Sequence, residues 1–216
     1  MTYNISIHDV LLKVNKGSCP KDINLHCHTS HSDGSLHPHL LIQQAIATNI
    51  QHIAVTDHHS ISAYSLMVDY LETIDNDQSK PTLWSGIEIT CLVNKCLVHI
   101  LGLDFDIAHK ALTKYTRGSS PVGIDLQAVN VINAIHEAGG LAILAHPARY
   151  RIDAITLINH SHKLGIDGAE VWYDYESKPM WSYSDYICQK IYNRVIELGL
   201  YATCGTDTHG FSLLGR

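Results

Sequence analysis

Seven short apolar runs in this chain each carry a histidine, aspartate or glutamate: INLHCH, HIAVTDH, LWSGIEIT, CLVHILGLDF, LAILAHP, DGAEVWY and YATCGTDTH. Their β-branched and aliphatic content reads as strands. Between most of them lie amphipathic stretches that stop at asparagine or glycine: Pro38–Thr48 at Asn49, Ile124–Ala138 at Gly139-Gly140, Ile152–Leu164 at Gly165 and Met180–Leu198 at Gly199. Leu126, Val129, Ile132 and Ile135 recur every three residues, which makes Ile124–Ala138 the clearest predicted helix. Strands alternating with helices of this length predict βαβ units and a parallel α/β sheet. Seven strands suit a closed or nearly closed barrel of the (β/α) type, with an open doubly wound sheet as the alternative.

In both architectures sites are built at the C-terminal ends of the strands. His28, Asp57-His58, Glu88, His146 and Asp207/His209 are expected at that edge, with His99 inside the fourth strand. The chain has 16 histidines against 15 Lys plus Arg, an excess that asks for metal ligation or proton transfer. His26 and His28 are two apart, so both imidazoles project from one face of an extended strand and form a chelating pair. Asp207 and His209 repeat that spacing in GTDTH. Imidazole combined with carboxylate, without thiolate, suits zinc, manganese or iron rather than a structural zinc site.

Composition narrows the function classes. With 216 residues, 45% apolar and 17% charged, the chain has an ordinary globular balance and no run long enough to span a bilayer. Residues 1–21 do not read as a secretory signal and are expected to form an N-terminal extension, so a cytoplasmic location is expected. The six cysteines are scattered without a CxxC pair, which favours free buried thiols over a disulfide framework. A net charge of −6 counts against a non-specific grip on long nucleic acid but not against a small phosphorylated substrate.

HCHTSHSDG, TDH, GIE, the histidine of VHILGL, AHP and GTDTH stand in the order seen in the PHP (polymerase and histidinol phosphatase) superfamily, which the chain resembles from about Ile23 to His209. The resemblance implies one PHP domain over 1–216, a distorted (β/α)7 TIM-like barrel, and two or three divalent ions (Mn2+, Zn2+ or Fe2+) performing phosphoester hydrolysis. It implies that His26, His28, Glu88 and Asp207 hold a first metal, that Glu88 bridges to a second held by His99 and His146, and that Asp33, His58 and His209 hold a third. The SDG and AHPARY runs are similar to the branch acting on nucleoside monophosphates and the 5′ ends of short oligonucleotides, where Arg149 would meet the substrate phosphate. That branch carries a long helical insertion after the HILGL strand; here residues 106–122 alone fill that place, as a lid loop.

Three divalent cations carry six positive charges and Asp33, Glu88 and Asp207 supply three negative ones, so a phosphomonoester dianion plus one hydroxide completes the balance. The expected reaction is therefore hydrolysis of a phosphomonoester, a small metabolite or a nucleotide 5′-phosphate, with metal-lowered water pKa supplying the nucleophile and a metal-bound water or His59 protonating the leaving group. An exonuclease on short oligonucleotides and a phosphatase of the histidinol phosphate kind are the alternatives. A silent binding module would lack ligands, whereas all nine positions here carry competent residues. A serine hydrolase fails for want of a GxSxG elbow.

Overall fold

The computed structural model describes residues 5–75, 79–178 and 180–215. Its strands are β1 (Ile23–Asn24), β2 (His52–Ala54), β3 (Thr82–Trp84), β4 (Gly86–Val93), β5 (Cys96–Leu103), β6 (Leu141–Leu144), β7 (Gly168–Trp172) and β8 (Tyr201–Cys204). Its helices are α1 (Ile7–Leu11), α2 (Pro38–Ala47), α3 (Ser62–Thr73), α4 (Ala128–Glu137), α5 (Ala154–Lys163) and α6 (Asp185–Glu197). β1-β2-β3 form one parallel sheet, and β4-β5-β6-β7-β8 form a second.

Backbone hydrogen bonds join the two sheets at both seams. Leu25 N donates to Cys204 O at 3.0 Å and His28 N to Thr208 O at 3.2 Å, tying the chain after β1 to the chain after β8. At the other seam Glu88 N donates to Asp57 O at 3.2 Å and His59 N to Glu88 O at 3.0 Å. The LWSGIEIT run is thus one strand broken at Ser85, whose Oγ donates to Phe105 O at 2.7 Å and accepts from Phe105 N at 2.8 Å. Glu88 therefore stands near the start of β4 rather than at the end of a strand.

The second sheet is not all parallel as predicted. β5 runs antiparallel to both β4 and β6, while β6-β7 and β7-β8 are parallel. The cause is local: β4 and β5 are joined by Asn94 and Lys95 alone, both at positive φ (48° and 61°). A two-residue connection has no room for a crossover helix and makes a hairpin.

The predicted helices are present: α2 starts at Pro38 as expected, and the other three start later than predicted. Gly123–Leu126 is a separate 3-10 turn, so α4 begins at Ala128 and its buried stripe is Val131, Ile132, Ala134 and Ile135, with Val129 exposed. α6 begins only at Asp185, after Ser184 N has donated to Tyr173 O at 3.1 Å. The N-terminal stretch is built into the core: Ile7, Val10 and Leu11 are buried with β5 to β8 in the main apolar cluster. A second cluster, with Cys27, Leu41, Ile42, Ile53 and Met67, packs α2 and α3 on the outside of β1 and β2. Cys27 thus faces away from its neighbours His26 and His28. Within 106–122, Leu112 and Tyr115 are buried and anchor the loop.

Candidate metal centre

His26 and His28 lie just past β1 on extended backbone, both fully buried. The chain after β8 must pass very close to admit them: a side chain at Gly205 would overlap His26 Cβ and come within 2.9 Å of Glu170 Oε1. Gly34 plays the same part in the SDG turn, where a Cβ would meet His28 C at 2.6 Å.

The two oxygens of buried Glu88 face two sets of imidazoles. Oε2 lies 3.2 Å from His26 Nε2, 3.0 Å from His28 Nε2 and 3.5 Å from His58 Nε2. Oε1 lies 2.9 Å from His99 Nδ1 and 3.2 Å from His146 Nε2. Asp207 Oδ1 stands 3.3 Å from His26 Nε2 and 3.1 Å from His28 Nε2. A third group lies at the rim: Asp33 Oδ2 is 3.2 Å from His209 Nε2 and 3.7 Å from His58 Nε2, and Asp33 Oδ1 is 3.5 Å from His28 Nδ1. The structure brings the nine candidate residues named from the sequence into one cluster, His146 through its contact with Glu88 Oε1. Donor atoms within metal-binding reach of one another form three groups: His26, His28, Glu88 and Asp207; His28, Asp33, His58 and His209; and His58, Glu88 and His99.

The donor set fits divalent cations on the evidence of its own hydrogen bonding. His26 Nδ1 faces Glu170 at 3.1 Å and so carries the ring proton there. Its Nε2 faces His28 Nε2 (3.1 Å), Glu88 and Asp207, so without a cation the ring is driven to take a second proton there: against burial, Glu170, Glu88 and Asp207 raise it well above the usual histidine range. Buried His146 Nδ1 has no partner. A cation among these atoms would take the place of those protons, as the carboxylates that hold them are also metal-binding donors. Burial works against every charge here, but at Glu88 and His28 the neighbours prevail. The His26 charge and bonds from His146, His26 and His28 hold Glu88 well below the usual carboxylate range. Burial would lower His28, yet Asp207 and Glu88 raise it to about 9. For His58 burial wins and lowers it to about 4, aided by His28 and His99 against Glu88.

Residues beyond the ligands hold this arrangement. Glu170 is fully buried; besides His26 it accepts from His146 N at 2.9 Å. Asp57 accepts from Thr29 N (2.7 Å), Thr29 Oγ1 (2.6 Å) and Ser32 Oγ (2.7 Å), pinning the loop that carries Asp33. Tyr173 donates to Asp207 Oδ2 at 2.6 Å, and Arg149 Nη1 donates to the same oxygen at 2.9 Å. The sequence places Asp57 at the strand edge without a role of its own, and Tyr173 is not singled out there. Asp57 adjoins a ligand in TDHH, a usable signal, whereas Tyr173 lies in an aromatic-rich segment that reads as packing. His59 is held with Nε2 at 3.1 Å from Thr90 Oγ1 and 3.3 Å from Ser120 Oγ. It lines a cavity of about 430 Å3 with Asp33, His58, His99, Thr90 and Ser120, so the 106–122 loop borders the cleft through Gly118–Ser120.

Mixed α/β architecture with a buried cluster of histidine, aspartate and glutamate able to hold several metal ions defines a metal-centred class of proteins. The chain belongs to the PHP domain family, whose model matches residues 24–179. It is 34% identical over 92 residues to the 5′-3′ exoribonuclease Rnm of Salmonella typhimurium, which is 43% of this chain and 30% of that one. It is 31% identical over 144 residues to a 5′-3′ exoribonuclease of Haemophilus influenzae, 61% of this chain and 51% of that one. The matched stretches thus span about half or less of these curated relatives. Among solved structures, an amidohydrolase from Chromobacterium violaceum with bound sulfate and no metal superimposes with a TM-score of 0.72 at 21% identity, over 88% of each chain. A protein from Bifidobacterium adolescentis described as a metal-dependent phosphoesterase gives 0.70 at 19% identity, over 91% of this chain and 90% of that one. No helix among the described residues is long and apolar enough to cross a membrane.

Proposed function

We propose that this chain is a metal-dependent phosphoesterase acting on a nucleotide phosphate ester, and that its two joined sheets form the distorted (β/α)7 barrel of a single domain. The observation that carries the reading is Glu88, with one oxygen among His26, His28 and His58 and the other between His99 and His146. His26, His28, Glu88 and Asp207 would hold one ion, Glu88, His99 and His146 a second, and Asp33, His58 and His209 a third. When bound, such ions supply Lewis acidity toward the phosphoryl oxygens and a water acidic enough to attack phosphorus near neutral pH.

The protein's own groups do the rest. Arg149, fixed at its Nη1 by Asp207 and Tyr173 and with its side chain 40% exposed, keeps the remaining guanidinium donors for a phosphate oxygen. His59 Nε2, between Thr90 and Ser120 on the cavity wall, is placed to pass a proton toward a leaving alkoxide. Glu170 keeps His26 in the tautomer that offers Nε2.

The charge balance favours a phosphomonoester, while the exoribonuclease relatives support a second reading, stepwise removal of nucleotides from the 5′ end of short RNA. One experiment tests both. Metal-stripped protein is assayed with and without Mn2+ or Zn2+ on nucleoside 5′-phosphates, 3′,5′-bisphosphates, histidinol phosphate and 5′-phosphorylated oligoribonucleotides. Hydrolysis that disappears on stripping and returns with metal is the expected result; no turnover of any phosphate ester by metal-replete protein overturns the proposal.

A further inference from the structure

Two adjoining clefts lie beside the cluster. One, about 530 Å3, is lined by Lys95, Leu97, Arg149, Tyr150 and Arg151 among others; the next, about 340 Å3, by Tyr150, Arg151, Asp153, Tyr186 and Lys190. Because they share Tyr150 and Arg151, they form one groove. It starts at the metal centre, since Arg149 Nη1 lies 2.9 Å from Asp207 Oδ2.

The groove concentrates positive charge on a chain that carries −6 overall. Lys95, Arg149, Arg151 and Lys190 line it against one carboxylate, Asp153. The cavity bordered by Ser120, in contrast, has Asp33 and no lysine or arginine among its lining residues. Arg151 stands at the junction, tied by Nη2 to Lys95 O at 2.5 Å, with the rest of its fork free to reach a ligand. Lys190 meets Asp153 at 3.1 Å, but both side chains are 54% exposed, so water and a competing anion weaken that pair. At the far end the Tyr186 ring is 84% exposed. Spaced cations that track a backbone, with an open aromatic face beside them, match the needs of single-stranded nucleic acid. A small phosphomonoester would leave everything beyond Arg149 unused.

We propose that this groove is the binding track for the sugar–phosphate backbone of a single-stranded oligonucleotide, with Arg151 and Lys190 on successive phosphates and Tyr186 under a base. The proposal rests on the phosphoesterase reading for the position of the reacting ester, but its binding test does not.

The test is fluorescence anisotropy with a 3′-labelled, 5′-phosphorylated RNA hexamer in EDTA, where nothing is hydrolysed, using wild type, Arg151→Ala/Lys190→Ala and Tyr186→Ala. The hexamer is expected to bind wild type at least about tenfold more tightly than a labelled mononucleotide. The double variant should lose about tenfold and flatten the log–log salt slope by about 1.4, the value for two lost phosphate contacts on a single strand. Tyr186→Ala should lose about fivefold. With Mn2+ restored, turnover of a nucleoside 5′-phosphate should be unchanged in these variants, which also shows that they fold. Equal hexamer binding by wild type and double variant, or equal binding of hexamer and mononucleotide by wild type, overturns the track. Length-dependent binding in EDTA by a wild type that hydrolyses nothing with metal would overturn the phosphoesterase reading and leave the track standing.

Discussion

His26 is gripped from behind by Glu170: Nδ1 lies 3.1 Å and 3.2 Å from the two carboxylate oxygens, and Nε2 is left to face Glu88 and Asp207. The same carboxylate accepts His146 N, so one buried group on β7 sets two of the proposed ligands. Supports of this kind fix ring orientation and basicity. Replacing Glu170 with Ala should weaken metal binding about 10–100-fold, and Gln, which keeps one acceptor, should do less. Isothermal titration of Mn2+ or Zn2+ into stripped protein measures it; an unchanged affinity in Glu170→Ala would remove Glu170 from the site.

His26→Ala and Asp207→Ala should abolish phosphoester hydrolysis and lower the metal-to-protein ratio with little change in fold. Elemental analysis beside circular dichroism distinguishes this from unfolding. Full turnover in either variant contradicts the ligand assignment.

Metal removal should also lower thermal stability, because the folded chain binds the ions through a preformed site that the unfolded chain lacks. At a free metal concentration a hundred times the Kd, the gain is about 2.7 kcal/mol. Scanning calorimetry of stripped protein against increasing Mn2+ should show a rising midpoint; a flat response would mean that the cluster does not take the ion.

Gly205→Ala should destabilise the protein by about 1–3 kcal/mol, the usual range for forcing atoms into a filled interior, since the added methyl overlaps His26 Cβ. Chemical denaturation gives the number. Activity should fall with it, because the displaced residue is one of the proposed metal ligands.

All six cysteines are buried and free. Burial pushes the Cys188 thiol up to about 11 and Cys91 further, which disfavours thiolate. Raising the pH to 9 stays below both values, so these thiols should remain unreactive toward a disulfide reagent at pH 7 to 9 and label only in denaturant. Rapid labelling of Cys188 in folded protein at pH 8 would refute its burial.

The strand runs and the ligand pairs were legible because each carries its own periodicity. His26 and His28 sit two apart, and any extended backbone puts them on one face. The reversal of β5 was less legible, since Asn94-Lys95 lacks the glycine that marks most tight hairpins. The start of α4 was misplaced because Leu126 and Val129 fit a helical period while Gln127 is extended, and local propensity gave way to the 3-10 turn before it. Tyr173 and Glu170 could not be assigned from spacing alone, because their roles exist only once β7 lies beside β8 and the chain after β1.

The two-residue connection between β4 and β5 also works as a ruler. It sets Thr90 opposite His99 and Glu88 opposite Leu101, so Glu88 and His99 meet as diagonal neighbours on one face. A slip of one residue would turn His99 to the other side of the sheet. An insertion at Asn94-Lys95, on the far side of the hairpin from every ligand, would therefore disassemble the centre without altering any residue in it. The chain length between two strands is, in this protein, part of what would coordinate a metal.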